Sequence, residues 1–246
     1  MKTVAVAVIK GGTGKTATAA ALAQAAVRDG KKVLAVDLDP QANLTFTLAA
    51  DANRAGAYEL FEGEAARKLV QHTPQGVDCI AASPNLCAVT TYTGSARRLK
   101  NALQALAGDY DVCITDTPPT IGELVYNALQ AADGLLIPLE ADTYSLQGLY
   151  QIADIARRIR ESNPSLQILG TVVSRYNGRT NVNRFMRDAI EQRGKEIGVP
   201  YLTAVRPGVA VQEAAAFQRS LFEYAPQSNP AKDYMELYRM IFGTEI

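Results

Sequence analysis

The stretch VIKGGTGKT, Val8–Thr16, decides how the rest of the chain is read. It follows an apolar run, TVAVAVI (Thr3–Ile9), and precedes an alanine-rich stretch, GKTATAAALAQAAVRDG (14–30), that Gly30 closes. A strand, a glycine-rich turn and a helix in that order form a phosphate-binding loop. Gly11, Gly12 and Gly14 lack Cβ atoms, so the backbone from Gly11 through Thr13 to Ala17 can turn tightly and aim successive N–H groups at phosphate oxygens. The positive end of the following helix adds to the same anion site. Lys15 is placed to reach the β- and γ-phosphates, and the Thr16 hydroxyl to bind Mg²⁺. Two details depart from the general pattern. Ile9 stands where a glycine is usual, and a second lysine, Lys10, precedes the glycine pair.

Working outward, apolar runs alternate with helical stretches. The strands expected are KVLAVDLD (32–39), VDCIAAS (Val77–Ser83), YDVCITD (110–116), GLLIPLE (134–140), LQILGTVVS (166–174) and VPYLTAV (199–205). Between them lie helical segments at ARRLKNALQALAG (96–108), where Leu99, Leu103 and Leu106 share a face, and at 146–162 and 181–198. Continuous apolar strands separated by helices imply a doubly wound α/β fold, a mostly parallel sheet covered on both faces. No repeat, low-complexity tract or linker divides the chain, so residues 1–246 read as a single domain.

Ligands in such sheets bind beyond the carboxyl ends of the strands. Three chemical clusters fall there: the glycine loop, DLDPQAN after the second strand, and DTPP after VCIT. Asp116 closes its strand and is placed to hold magnesium through a water. Asp37 and Asp39 flank Leu38, and alternate residues of an extended chain share a face. One can support the metal shell while the other orients the attacking water.

The bulk numbers set limits. The 25 basic and 25 acidic residues cancel, so no general attraction to nucleic acid is announced, although a local patch is compatible with that balance. No run reaches the roughly 20 apolar residues of a membrane span. The three cysteines, Cys79, Cys87 and Cys113, lack metal-ligand spacing, and the only histidine, His72, lies in the polar stretch QHTPQG and reads as a solvated loop residue. The expected location is the cytoplasm.

With these residues assembled, the chain resembles the ParA-type partition ATPases of the deviant Walker A group, P-loop NTPases close to the Soj-like branch. KGGTGKT, VLAVDLDPQANLT, YDVCITDTPPT, GLLIPLEADTYSLQGL and QEAAAFQRSLFEYAP match that pattern in order along nearly the whole chain. The resemblance implies slow hydrolysis of ATP with Mg²⁺. It implies that Lys10 reaches into a partner subunit's site when two ATP-bound copies stack as a homodimer, with Gly12 needed for close approach. By the same carry-over Asp39 positions the hydrolytic water, Asp37 supports the metal site, and Asp116 belongs to the second switch. Ser174, Arg175 and Pro207 are candidates for nucleobase contacts. Where the family has a second threonine after Thr16, this chain has Ala17, and weaker nucleotide binding is expected.

Partners implied are a ParB-like centromere-binding protein that stimulates hydrolysis and non-specific DNA, with nucleoid association. Arg175, Arg179, Arg184, Arg187 and Arg193 crowd one region, and Arg206 and Arg219 follow as DNA-binding candidates. The rival reading is a MinD-like membrane-switching ATPase, or the same switch positioning a protein cargo. The tail DYMELYRMIFGTEI argues against the membrane. It carries Asp233, Glu236 and Glu245 against Arg239, while Tyr234, Leu237, Tyr238 and Ile241 recur at a spacing suited to packing on the body.

Overall fold

The computed structural model describes residues 1–91 and 97–243 of the 246. Its strands are β1 (Lys2–Val6), β2 (Val33–Asp37), β3 (Val70–His72), β4 (Asp78–Ile80), β5 (Val112–Asp116), β6 (Gly134–Glu140), β7 (Gln167–Ser174) and β8 (Tyr201–Ala204). They form one sheet in the order β3-β4-β2-β5-β1-β6-β7-β8. Every neighbouring pair is parallel except β3–β4.

The helices are α1 (Lys15–Arg28), α2 (Asn43–Thr47), α3 (Ala57–Glu62), α4 (Ala66–Leu69), α5 (Arg98–Leu106) and α6 (Glu123–Ala131). Then follow α7 (Ser145–Ile159), α8 (Asn181–Glu196), α9 (Val209–Ala216), α10 (Leu221–Tyr224) and α11 (Asn229–Phe242), with a 3₁₀ turn over Pro84–Thr91. The helix expected from residue 96 is found from Arg98; Ala96 lies outside the described residues, as does Glu245 of the tail.

The period-2 alternation of the strands divides the core into two layers. Ala5, Leu34, Val36, Leu135 and Ile137 point to one face, where they meet Phe61, Leu103, Leu129 and Ile152. Val4, Val6, Val33, Ala35 and Leu136 point to the other, against α1 and α11. The alanines of α1 let that helix lie close on the sheet and under Tyr234, Leu237 and Tyr238. The tail thus packs on the body as its spacing predicts.

The end of α1 is closed by a left-handed Gly30, whose N–H donates to Val27 O at 2.9 Å while Lys31 N–H reaches Ala26 O at 3.0 Å. Helix α1 therefore starts at the carboxyl edge of the sheet and ends at the opposite edge.

One sequence expectation is corrected here. His72 does not sit in a loop but in β3, a three-residue edge strand antiparallel to β4. It is solvated as expected, and its Nδ1 lies 2.6 Å from Asp78 Oδ1. Cys79 and Cys113 are buried in strands and Cys87 is exposed. No helix among the described residues is long and apolar enough to cross a membrane.

Candidate nucleotide and metal site

The glycine loop leaves β1 and enters α1 through Gly14, which caps the helix in the left-handed region (φ 86°) with no side-chain cap. The first N–H groups of α1 therefore point outward without a protein acceptor of the capping kind. A Cβ at Gly14 would stand 2.8 Å from Ser174 Oγ, so both shape and backbone require glycine. Gly12 is also left-handed (φ 77°) but has no heavy atom near its missing Cβ. Its need is thus conformational within a single chain. Gly11 has neither constraint.

Lys15 is buried, and its Nζ donates to Lys10 O at 2.8 Å, across the mouth of the loop. Burial lowers its pKa, opposed by the charges of Asp116 and Asp39. Behind it the strand register sets Asp37 and Asp116 side by side at the ends of β2 and β5, both fully buried. Burial pushes Asp37 up to about 6, against hydrogen bonds from Thr45 N–H (2.8 Å), the Thr45 hydroxyl (2.8 Å) and Asp39 N–H (3.0 Å). Asp116 lies well above the usual carboxylate range, through burial and then the neighbouring Asp37 charge. One of its oxygens accepts from Thr117 N–H at 3.1 Å; the other, Oδ2, is buried without a hydrogen-bond partner.

Two carboxyls forced together with an unsatisfied oxygen suit a hard, oxygen-seeking dication. Among the described residues no three His, Cys, Asp or Glu side chains are grouped so as to hold a metal unaided. That fits an ion carried largely by phosphate and water oxygens, with Thr16, Asp39 and Asp116 at hand. Asp37 and Asp39, expected on a shared face, divide their work. Asp37 anchors the entry to α2 through Thr45, while Asp39 stays nearer the surface and accepts from Gln41 N–H at 3.0 Å.

Lys10 does not point to solvent. Its ammonium is ion-paired with Asp142, and Ser145 Oγ lies 3.3 Å away at the start of α7. Partial burial works against it, but the Lys10 ammonium and Ser145 hold the Asp142 carboxyl below its ordinary value.

A cavity of about 440 Å³ opens beside the glycine loop. Gly12, Gly14, Ala17, Ser174, Arg175 and Pro207 all line it, so the residues expected around a nucleobase converge there. Arg175, itself left-handed (φ 52°), bonds Glu140 and donates to Gly12 O at 2.6 Å. Among the lining side chains that sequence reading missed are Gln212 and Tyr234. They come from α9 and α11, and only the approach of those helices to α1 brings them in.

The arginines singled out for DNA are mostly matched within the chain. Arg206 makes a paired contact with Asp233 (2.9 and 2.5 Å), Arg187 bonds Asp188, Arg193 bonds Glu196, and Arg184 bonds Asn181 and Gly178 O. Arg219 lies over the Tyr224 ring at 5.7 Å. Exposed apolar side chains collect after the carboxyl ends of strands: Phe46 after β2, Ile121 after β5, Tyr144 after β6, Val182 and Phe185 after β7, Val209 after β8.

Comparison with known proteins follows the same lines. The AAA domain family matches residues 1–168. The chromosome-partitioning ATPase Soj of Thermus thermophilus is 35% identical over 240 residues, 96% of this chain and 94% of that protein. The chromosome partitioning protein ParA of Caulobacter vibrioides is 32% identical over 257 residues, 100% of this chain and 95% of that one. Cobyrinic acid a,c-diamide synthase of Mycobacterium smegmatis, solved with a bound ATP analogue and magnesium, superposes with a TM-score of 0.84 at 28% identity, over 100% of this chain and 98% of that one.

Proposed function

The chain belongs to the Soj/ParA family of partitioning ATPases, and from that premise we propose that it is a DNA-partition switch, working as one domain, whose Mg-ATP-bound form pairs face to face. The observation that carries the reading is the meeting of the glycine loop, Lys15 and the Asp37–Asp116 pair at one sheet edge. The N–H groups of Gly11, Gly12, Thr13 and Gly14 and the start of α1 bind the phosphates, and Lys15 moves from the Lys10 carbonyl onto them. Ser174, Arg175 and Pro207 enclose the base. Thr16, Asp39 and Asp116, with Asp37 behind them, would hold Mg²⁺, which would supply charge neutralisation at the phosphates. Asp39 orients the attacking water. The catalytic contribution is positioning and charge, as phosphoryl transfer requires.

Pairing is supported by the apolar side chains ranged along the nucleotide edge, where a second copy would cover them. In the pair, Lys10 exchanges Asp142 for the other copy's triphosphate, so ATP and dimerisation become linked. Hydrolysis transfers the terminal phosphoryl group to water, and once that phosphate leaves, the diphosphate remaining holds Lys10 less strongly and the copies separate. A basic segment of a ParB-like protein is the expected stimulator, non-specific DNA the track, and the nucleoid in the cytoplasm the location. The membrane alternative lacks support, because the apolar stripe of α11 is already buried on the body.

The test is direct. Purified protein should bind Mg-ATP saturably, hydrolyse it slowly, and sediment as a dimer with ATP but as a monomer with ADP. Absence of Mg-ATP binding would remove the enzymatic reading. Binding without dimerisation would remove the switch.

A further inference from the structure

We propose that the DNA-gripping surface is not the arginine-rich region of α8 but the face where the end of α1 meets the outer side of α11. This rests on the reading that the protein engages DNA. The first argument is charge pairing. Around α8, carboxylates or amides already occupy Arg184, Arg187, Arg193 and Lys195, and Asp233 holds Arg206. On the other face, Lys31, Lys32, Lys232 and Arg239 have no side-chain partner among the described residues. Arg28 donates only to Phe222 O (3.2 Å), and Lys2 donates to Ile241 O (2.6 Å) while standing over the Phe242 ring. These cations keep their full charge for an outside anion.

The second argument is shape. Arg28, Lys232 and Arg239 line one open concavity of about 380 Å³ with Phe222 and Met235 in its wall. The carboxylates alongside keep their charge but are bonded inward: Asp29 accepts from the Tyr238 hydroxyl at 2.7 Å, and Asp111 accepts from the Lys32 N–H at 2.8 Å. Glu236 is exposed within one turn of both Lys232 and Arg239 on α11, so three carboxylates stand among the six cations Lys2, Arg28, Lys31, Lys32, Lys232 and Arg239. In a chain of zero net charge, such a local excess of positive charge is what a sequence-blind phosphate contact requires.

The third argument is position. Lys2 begins β1 and Arg28 ends α1, so both stand at the edge opposite the nucleotide. A second copy over the nucleotide edge leaves this face open, and a dimer presents it twice. Two linked surfaces on one duplex bind far more tightly than one, which makes DNA affinity depend on ATP without any contact between DNA and nucleotide. A lipid surface would need an apolar stripe to insert, and that of α11 is buried.

The experiment measures binding of the full chain to an unrelated duplex, with ATP and with ADP, across a salt series. The double variant Lys232→Gln/Arg239→Gln should bind the duplex at least about tenfold more weakly with ATP, and its log–log salt slope should fall by about two. Its ATP hydrolysis and ATP-driven dimerisation should match the unaltered protein, which shows that it folds. Arg184→Gln/Arg193→Gln should change DNA affinity by less than about twofold. A Lys232/Arg239 variant with unaltered affinity and slope would overturn the surface assignment while leaving the DNA reading in place. An unaltered protein that ignores DNA in every nucleotide state would overturn the DNA reading itself. If the variant instead lost only sedimentation with phosphatidylglycerol vesicles, the face would be a lipid surface and the proposal wrong.

Discussion

The Lys10 ammonium is bonded within its own chain to the Asp142 carboxylate, 132 residues further along the sequence. The contact is part-buried and braced by Ser145, whose N–H and hydroxyl both reach Asp142 Oδ1. A lysine needed by another copy's nucleotide must first leave this partner. Partly exposed ion pairs of this kind contribute about 0.2–1 kcal/mol, so the latch biases the equilibrium without blocking it. Asp142→Asn should therefore lower the ATP concentration for half-maximal dimerisation about two- to fivefold, read by sedimentation or light scattering. Lys10→Ala should leave nucleotide binding but no ATP-dependent dimer. Equal dimerisation by Lys10→Ala and the unaltered protein would remove the role of this lysine.

The glycines of the loop separate intrachain needs from interchain ones. Gly14→Ala forces a left-handed alanine and a Cβ against Ser174 Oγ, and should destabilise the fold by about 1–3 kcal/mol with loss of ATP binding. Gly11→Ala meets nothing within 4 Å in the single chain and has no left-handed backbone. Its melting temperature should be unchanged within about 1–2 °C. If a second copy or its nucleotide comes close at this point, the variant should still bind ATP yet dimerise poorly. Normal dimerisation by Gly11→Ala would place the interface elsewhere.

What could be read in advance was what spacing alone determines. GKT after one apolar run and Asp116 at the end of another require no knowledge of distant contacts, and both land where the pattern puts them. The alternation of strands and helices set the fold because parallel strands need crossover helices. Strand β3 was not legible, since VQH is short, polar at two positions and defined only by pairing with β4. Nor was α2, five residues held by Thr45 on Asp37. The Arg206–Asp233 pair joins residues 27 apart through α11 packing, so an arginine that reads as free in sequence is bound in the structure. Local chemistry is written in the chain; the pairing of surface charges is a tertiary fact.

Asp37 gives the site a pH signature. An isolated aspartate titrates near 3.8, and burial raises this one to about 6. Between those values the folded chain binds more protons at this position than the unfolded chain. The group therefore favours folding as pH falls from 6 toward 4, and opposes it above 6. Without Mg-ATP, thermal stability at pH 7.5 should gain about 3 °C or more from Asp37→Asn, and less at pH 5. Mg-ATP should restore the unaltered protein more at pH 7.5 than at pH 5, because an ionised carboxylate suits the metal site. Identical pH dependence in the variant and the unaltered protein would show that Asp37 carries no such burden.

The resemblance implies a second threonine where this chain has Ala17, and the structure has room for one. The Ala17 methyl faces the base-side cavity and also a smaller one of about 210 Å³ lined by Ala20, Ala21 and Thr47. A threonine here would meet space rather than a wall, at a helix-propensity cost of about 0.5 kcal/mol. One added hydrogen bond to a phosphate oxygen contributes about 0.5–1.5 kcal/mol, so Ala17→Thr should tighten ATP binding about two- to tenfold. Ala17→Val has the same branching and no hydroxyl, and should give no gain. Calorimetric titration of both variants with Mg-ATP decides the matter. If valine and threonine behave alike, the difference is packing, and the missing hydroxyl has no part in holding the nucleotide.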